Sequence, residues 1–127
     1  MKKIDLKYTG IPNICFSLTD KDDDREKKFS KQRIKRGFDD SETWSLYTTI
    51  SKFILPRLKR FKEINIAYPG NLTSEEWDNT LDKIIKAFEY LSSEKYWDDL
   101  WSRNDDTHKM IEKGLKLFAK YFEALWW

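Results

Sequence analysis

The chain has 127 residues, enough for one domain with a real core. Charged residues make up 36%, hydrophobic ones 39% and aromatic ones 16%, with a net charge of +2; this excludes a wholly disordered chain and leaves aromatic rings to supply much of the core volume. A single cysteine, Cys15, and a single histidine, His108, exclude an internal disulfide, a cysteine-based zinc site and a histidine-pair metal site.

Residues 1–18 alternate weakly, with Ile4, Leu6 and Tyr8 before a Thr9-Gly10-Ile11-Pro12-Asn13 turn and Ile14 and Phe16 after it. The pattern predicts two short strands, with a hairpin as the pairing open to them. Residues 19–36 are a charge run. Asp20, Asp22, Asp23 and Asp24 lead, and Arg25, Lys27, Lys28, Lys31, Arg33, Lys35 and Arg36 follow. That order suits a helix dipole. Only Phe29 and Ile34 offer an apolar anchor, so an exposed helix or mobile arm is expected. Residues 1–38 carry 11 Lys/Arg against 6 Asp/Glu, whereas residues 39–127 carry 13 against 16. Arg33, Lys35 and Arg36 are therefore candidate phosphate contacts, with a solvated linker as the alternative. The aspartate triplet lacks the alternate ligand spacing and the glycine of a calcium loop.

Asp39 can cap a helix, with Glu42 completing a capping box. Tyr47, Ile50, Ile54, Leu58 and Phe61 then mark one helical face, which Trp44, Leu46 and Phe53 widen. A helix packed on more than one neighbour is expected. Pro56 predicts a kink near residues 52–56, but the stripe keeps phase across it, which favours one helix over two. Arg57, Lys59, Arg60 and Lys62 fall at the negative end of the dipole as a candidate phosphate-binding cluster; a solvated helix end is the ordinary alternative.

Tyr68-Pro69-Gly70 reads as a turn. Thr73 and Glu76 form a second capping box with Leu72 and Trp77 at the staple positions, predicting a helix over 74–91. Its buried stripe is Trp77, Leu81, Ile84, Ile85, Phe88 and Leu91. Tyr96, Trp97, Leu100 and Trp101 suit a short helix. The last helix opens at Asp105-Asp106-Thr107 and carries Ile111, Leu115, Phe118, Phe122 and Leu125. Gly114 within it costs about 1 kcal/mol relative to Ala, and the sequence leaves open whether another helix approaches there. The chain ends Leu125-Trp126-Trp127. Tyr96, Trp97, Trp101, Trp126 and Trp127 are candidate interface anchors of a homo-oligomer, most simply a two-fold dimer. The alternative is that Trp126 packs back on Trp77 or Phe61.

No glycine-rich phosphate loop, G-x-S-x-G or H-E-x-x-H occurs. Neighbouring acids such as Asp98/Asp99 and Asp105/Asp106 point about 100° apart on a helix and share no site. No catalytic residue, metal ligand or cofactor is expected, and enzyme activity is not expected. No apolar run approaches a membrane span and no signal peptide opens the chain.

RGFDDSETWSLYTTISKFILPRLKRFKE (36–63), YPGNLTSEEWDNTLDKIIKAFEY (68–90) and GLKLFAKYFEALWW (114–127) together resemble a signature of small proteins of tailed bacteriophages and prophages. Trp44, Pro69, Trp77 and Trp126 are its most recognisable positions. Relatives are expected to carry an acidic residue where Tyr47 stands. The family has no established activity, so the resemblance implies a phage-encoded accessory protein of the bacterial host cytoplasm and transfers no catalytic residue.

The expected fold is mainly α: three long helices, a short one and a basic N-terminal arm, with the arm over 1–36 and a helical domain over 37–127. The expected function is non-enzymatic binding or sequestration of a host factor, counter-defence included. Nucleic-acid binding through the basic arm and the Arg57–Lys62 helix end is one alternative. A sponge for a nucleotide messenger, a small nucleotide ligand, is another.

Overall fold

Two of the long helices begin where a polar side chain satisfies their first free N–H groups, and another helix runs from an acidic start to a basic end. The computed structural model describes residues 3–99, 101–102 and 104–127. Within them are five α-helices: α1 (Glu26–Arg36), α2 (Leu46–Ile64), α3 (Ser74–Leu91), α4 (Glu94–Asp98) and α5 (Asp105–Lys120). The mainly α expectation holds. None of the helices is long and apolar enough to cross a membrane.

The predicted strands are absent among the described residues. Leu6–Tyr8 form a 3-10 turn instead, which the Asp5 carboxylate caps by accepting from the Lys7 N–H. Residues 15–20 run without helix or strand. The alternate N–H groups that a strand would offer a neighbour go to side chains: Phe16 donates to Glu42 Oε1 and Leu18 to Ser41 Oγ, both at 2.9 Å. A backbone N–H needs an acceptor, and here side chains supply it in place of a sheet.

The charge run does form a helix, α1, ended by Gly37 in the left-handed region at φ 89° with its N–H on Arg33 O. Glycine tolerates that conformation without steric cost. The Asp39–Glu42 capping box is present, but it opens a 3-10 turn (Asp40–Thr43) rather than the long helix. The helix α2 starts three residues later and continues through Pro56 as one element. The second box, Thr73–Glu76, caps α3, whose ends are those expected from sequence. Asn104 rather than an aspartate caps α5, accepting from the Thr107 N–H at 2.9 Å. The short helix α4 carries Tyr96 and Trp97; Leu100 lies outside the described residues.

The chain divides into two compact units, Met1–Phe53 and Ile54–Trp127, so the arm expected over 1–36 belongs to a larger unit. The second unit holds the apolar core. Leu58, Ile84, Ile85, Phe88, Leu91 and Ile111 are buried there, with Phe118 and Leu125 packed against them. All six predicted stripe residues of α3 are buried. The stripe of α5 is corrected at two positions. Leu115 and Phe122 are exposed, because the inward face follows Ile111, Gly114 and Phe118 and the helix stops at Lys120.

Gly114 marks the close approach of α3 and α5. A Cβ built on it would stand 2.3 Å from Ala87 Cβ and 2.8 Å from the Lys83 carbonyl oxygen. Backbone cannot move aside as a side chain can. Gly114→Ala should therefore lose about 1–3 kcal/mol of stability through overpacking, although Ala is the better helix former by about 1 kcal/mol. The urea midpoint checks this. Adding Ala87→Gly should recover part of the loss, and a Gly114→Ala midpoint at or above that of the parent chain would contradict the close approach.

Candidate functional site

The first unit is built on a polar centre rather than an apolar one. Arg33 was expected on the surface, yet its side chain is fully buried. All five guanidinium N–H donors find acceptors. Nε and Nη2 reach Asp5 at 2.7 and 3.1 Å, Nη1 reaches Asp39 at 2.6 Å and Ser17 Oγ at 3.4 Å, and Nη2 also donates to Glu26. Three carboxylates from three segments thus meet on one cation. Their other lone pairs are taken as well. Ser30 Oγ donates to Asp5 at 2.7 Å, Tyr8 Oη to Glu26 at 2.6 Å and Ser41 Oγ to Asp39 at 2.5 Å. Lys7 and Thr19 complete the shell of Glu26.

Burial alone would raise these carboxyls, but the hydrogen bonds outweigh it. Glu26 is held down at about 2 by Tyr8, Arg33, Lys7 and Thr19. Asp5 is lowered by Arg33 and Ser30, and Asp39 by Ser17, Ser41 and Arg33, again against burial. Burial works against the Arg33 charge, and Asp5, Asp39 and Glu26 more than restore it.

This centre positions an apolar groove. Asp39, Ser41 and Glu42 hold the segment Phe16–Leu18 in place through Ser17 and two backbone N–H groups. Ile14 and Phe16 are thereby set beside the first turns of α2, with Phe16 edge-on to Phe53 at 6.4 Å. The groove encloses about 440 Å³, and Ile14, Phe16, Phe38, Leu46, Ile50 and Phe53 form its apolar wall. Leu46, Ile50 and Phe53 are 52%, 49% and 46% exposed, and Tyr47 is also exposed. The expectation that this half of the stripe packs on neighbouring helices is corrected. It lies in a unit whose centre is polar, and its apolar side chains line an open groove.

The other sequence-predicted residues are placed as follows. Arg36 pairs with Asp40 at 2.7 Å and lies over the Phe38 ring, while Lys35 is exposed on α1. At the end of α2, Lys59 pairs with Glu89 at 3.2 Å, Lys62 with Asp82 at 2.6 Å and Arg60 with Glu63 at 3.0 Å; Arg57 is exposed. Carboxylates thus offset most of that helix end. Tyr96 is half-buried and edge-on to Tyr90 and Trp97. Trp97, Trp101, Trp126 and Trp127 are exposed. Trp77 packs against Tyr121 at 5.6 Å, the residue that covers it in the place considered for Trp126. Burial pushes the Cys15 thiol up, the opposite of an activated nucleophile. Phe38 carried no periodic signal, and the alternation of Ile14 and Phe16 pointed to a strand rather than to the wall of a groove.

Comparison with known protein families, with curated proteins and with solved structures finds no match.

The depressed carboxyls make the stability of the first unit pH-dependent. Their charged forms are favoured by folding, so the stabilisation is complete above their unfolded values and is lost as pH falls through the folded ones. For Glu26 the window runs from its ordinary 4.5 down to about 2. The protection factors of α1 amides, exchange rates corrected for the intrinsic pH dependence, should therefore fall as pH is lowered across that window. Arg33→Met should lose about 3–5 kcal/mol at neutral pH, because it leaves buried carboxylates unpaired. Its acid response should reverse, since protonation then relieves repulsion. An Arg33→Met chain as stable as the parent would remove the guanidinium from its central role.

Proposed function

We propose that this chain is a non-enzymatic binding protein whose first unit seats an apolar segment of a partner protein in the Ile14–Phe53 groove. The observation that carries the reading is the groove itself: half-exposed phenylalanine and aliphatic side chains on a frame held by a saturated polar cluster. Apolar pockets on a rigid frame are where interface hot spots form, and an amphipathic helix laid in a groove is a common mode of recognition. With the resemblance described above, the reading becomes a phage-encoded accessory protein that occupies a host factor in the bacterial cytoplasm, host defence included.

The two alternative ligands draw less support. The Arg57–Lys62 helix end, offered for nucleic acid or a nucleotide messenger, already faces Glu89, Asp82 and Glu63. Arg33 is withdrawn from any outside phosphate by its burial.

A photo-crosslinking residue at Ile50, compared with one at the exposed Lys27, tests the groove in infected cells. A discrete host protein should be captured from position 50 alone. With that protein purified, Phe38→Asp should weaken binding by about 2 kcal/mol. Unchanged affinity in Phe38→Asp, or no capture from position 50, would end the reading.

Self-association is a separate part of the proposal. Trp126 and Trp127 are 68% and 65% exposed, and exposed tryptophans of this kind favour a two-fold dimer. Sedimentation at micromolar concentration resolves it. A dimer that becomes a monomer when both are replaced by Ala supports the anchors; a parent chain that is already monomeric removes them.

A further inference from the structure

The close approach at Gly114 does more than pack two helices. It brings the lysines of α3 and α5 into one cleft of about 300 Å³, lined by Lys83, Lys86, Lys109 and Lys113. Met110, half-buried against the core, also lines it. Asp106 is the one carboxylate among its lining residues. Lys83 and Lys86 are three residues apart on α3, and Lys109 and Lys113 four apart on α5. Like charges at those spacings repel on one helix face. Here two such pairs line a common cleft, largely with their aliphatic stems.

Three other lysines of this unit differ. Lys59, Lys62 and Lys116 each take a carboxylate: Glu89, Asp82 and Glu112. Among the described residues, none of the four cleft lysines forms an ion pair. The helix α3 is therefore divided by charge. Its acids Asp82 and Glu89 serve the bases of α2, and its bases Lys83 and Lys86 line the seam with α5 without a matching set of acids. An unbalanced group of cations in a cleft concentrates field and attracts anions.

We propose that the α3–α5 seam binds closely spaced phosphates through Lys83, Lys86, Lys109 and Lys113. Four lysines at the rim of one cleft against one aspartate call for a ligand with several negative charges. Lysine presents a compact charge with rotatable donors, which suits phosphate oxygens and does not demand the planar fit that arginine gives a carboxylate. The cleft is at the small end of ligand pockets, the size for a di- or triphosphate group rather than a whole large ligand. That chemistry is shared by a free polyphosphate, a nucleoside triphosphate and the backbone of a single-stranded nucleic acid.

Calorimetric titration of the full chain at low salt, with inorganic tripolyphosphate, ATP and a short single-stranded oligonucleotide as probes, tests the site. At least one probe should bind. Lys83→Gln with Lys113→Gln should weaken that binding roughly tenfold or more, and each lost lysine should lower the slope of log affinity against log salt by about 1. Asp106→Asn should strengthen binding, an effect that a purely structural role does not produce. Lys27→Gln with Lys28→Gln, on the exposed face of α1, is the equal-charge control and should leave affinity nearly unchanged. Tighter binding of the oligonucleotide than of tripolyphosphate identifies the source as a nucleic-acid backbone; binding of tripolyphosphate and ATP alone identifies a free polyphosphate. Absence of binding by all three probes overturns the proposal. So does a loss in the Lys27/Lys28 control as large as in the seam variant.

Discussion

The first unit depends on one guanidinium. Arg33 is the largest of the fully buried side chains, and a buried cation is tolerable only when its donors are met and its charge is opposed. Both conditions hold through Asp5, Glu26 and Asp39. Each comes from a different segment: the N-terminal turn, the start of α1 and the loop after it. Geometry then does what an apolar core does elsewhere. The planar fork accepts few arrangements of three carboxylates, so satisfying it fixes the three segments against one another. The serines and threonine around it, Ser17, Ser30, Ser41 and Thr19, spread the hydrogen bonding and leave no carboxylate oxygen to be desolvated without return.

The groove follows from this choice of centre. A unit built around ion pairs has less need to bury aliphatic side chains, and those of α2's first turns remain available. The same helix shows the contrast along its length. Leu58 is buried at 3% exposure among the core side chains of the second unit, whereas Ile50, two turns earlier on the same stripe, is half exposed. A single amphipathic pattern thus serves a core at one end and lines an open groove at the other.

Local signals in the sequence were legible where chemistry is local. The Thr73–Glu76 box and the stripe behind it placed α3 to the residue. The phase of the α2 stripe across Pro56 indicated one helix. The Asp39–Glu42 box was legible as a box, though not as the start of a 3-10 turn, because the same hydrogen bonds close either geometry. Arg33 was illegible because within its own neighbourhood it is one base among many, and the partners that complete its shell, Asp5 and Ser17, lie 28 and 16 residues away. The alternation around Ile14 and Phe16 suggested a strand because an extended segment alternates whether its N–H groups meet a sheet or side chains, whereas Leu6–Tyr8 close into a 3-10 turn that the Asp5 carboxylate caps. The lysine seam was hidden for a third reason. Each lysine reads as an ordinary exposed base, and their convergence depends on the helix register that Gly114 permits.

The separation of the Arg33 partners along the chain also governs how this unit can assemble in time. Asp5 lies 28 residues before Arg33, and the Phe16–Glu42 and Ser17–Asp39 bonds span 26 and 22 residues. Closing a loop of that length costs on the order of 3 kcal/mol in chain entropy. The helix α1 can form locally, with Glu26 and Asp39 close to Arg33 in sequence, but folding it inward before the N-terminal loop closes would bury Nε without an acceptor. The guanidinium therefore acts as a gate on collapse. Full burial of α1 thus waits on the N-terminal segment, at a loop-closure cost of the same order as that of the Ala87–Gly114 contact between α3 and α5.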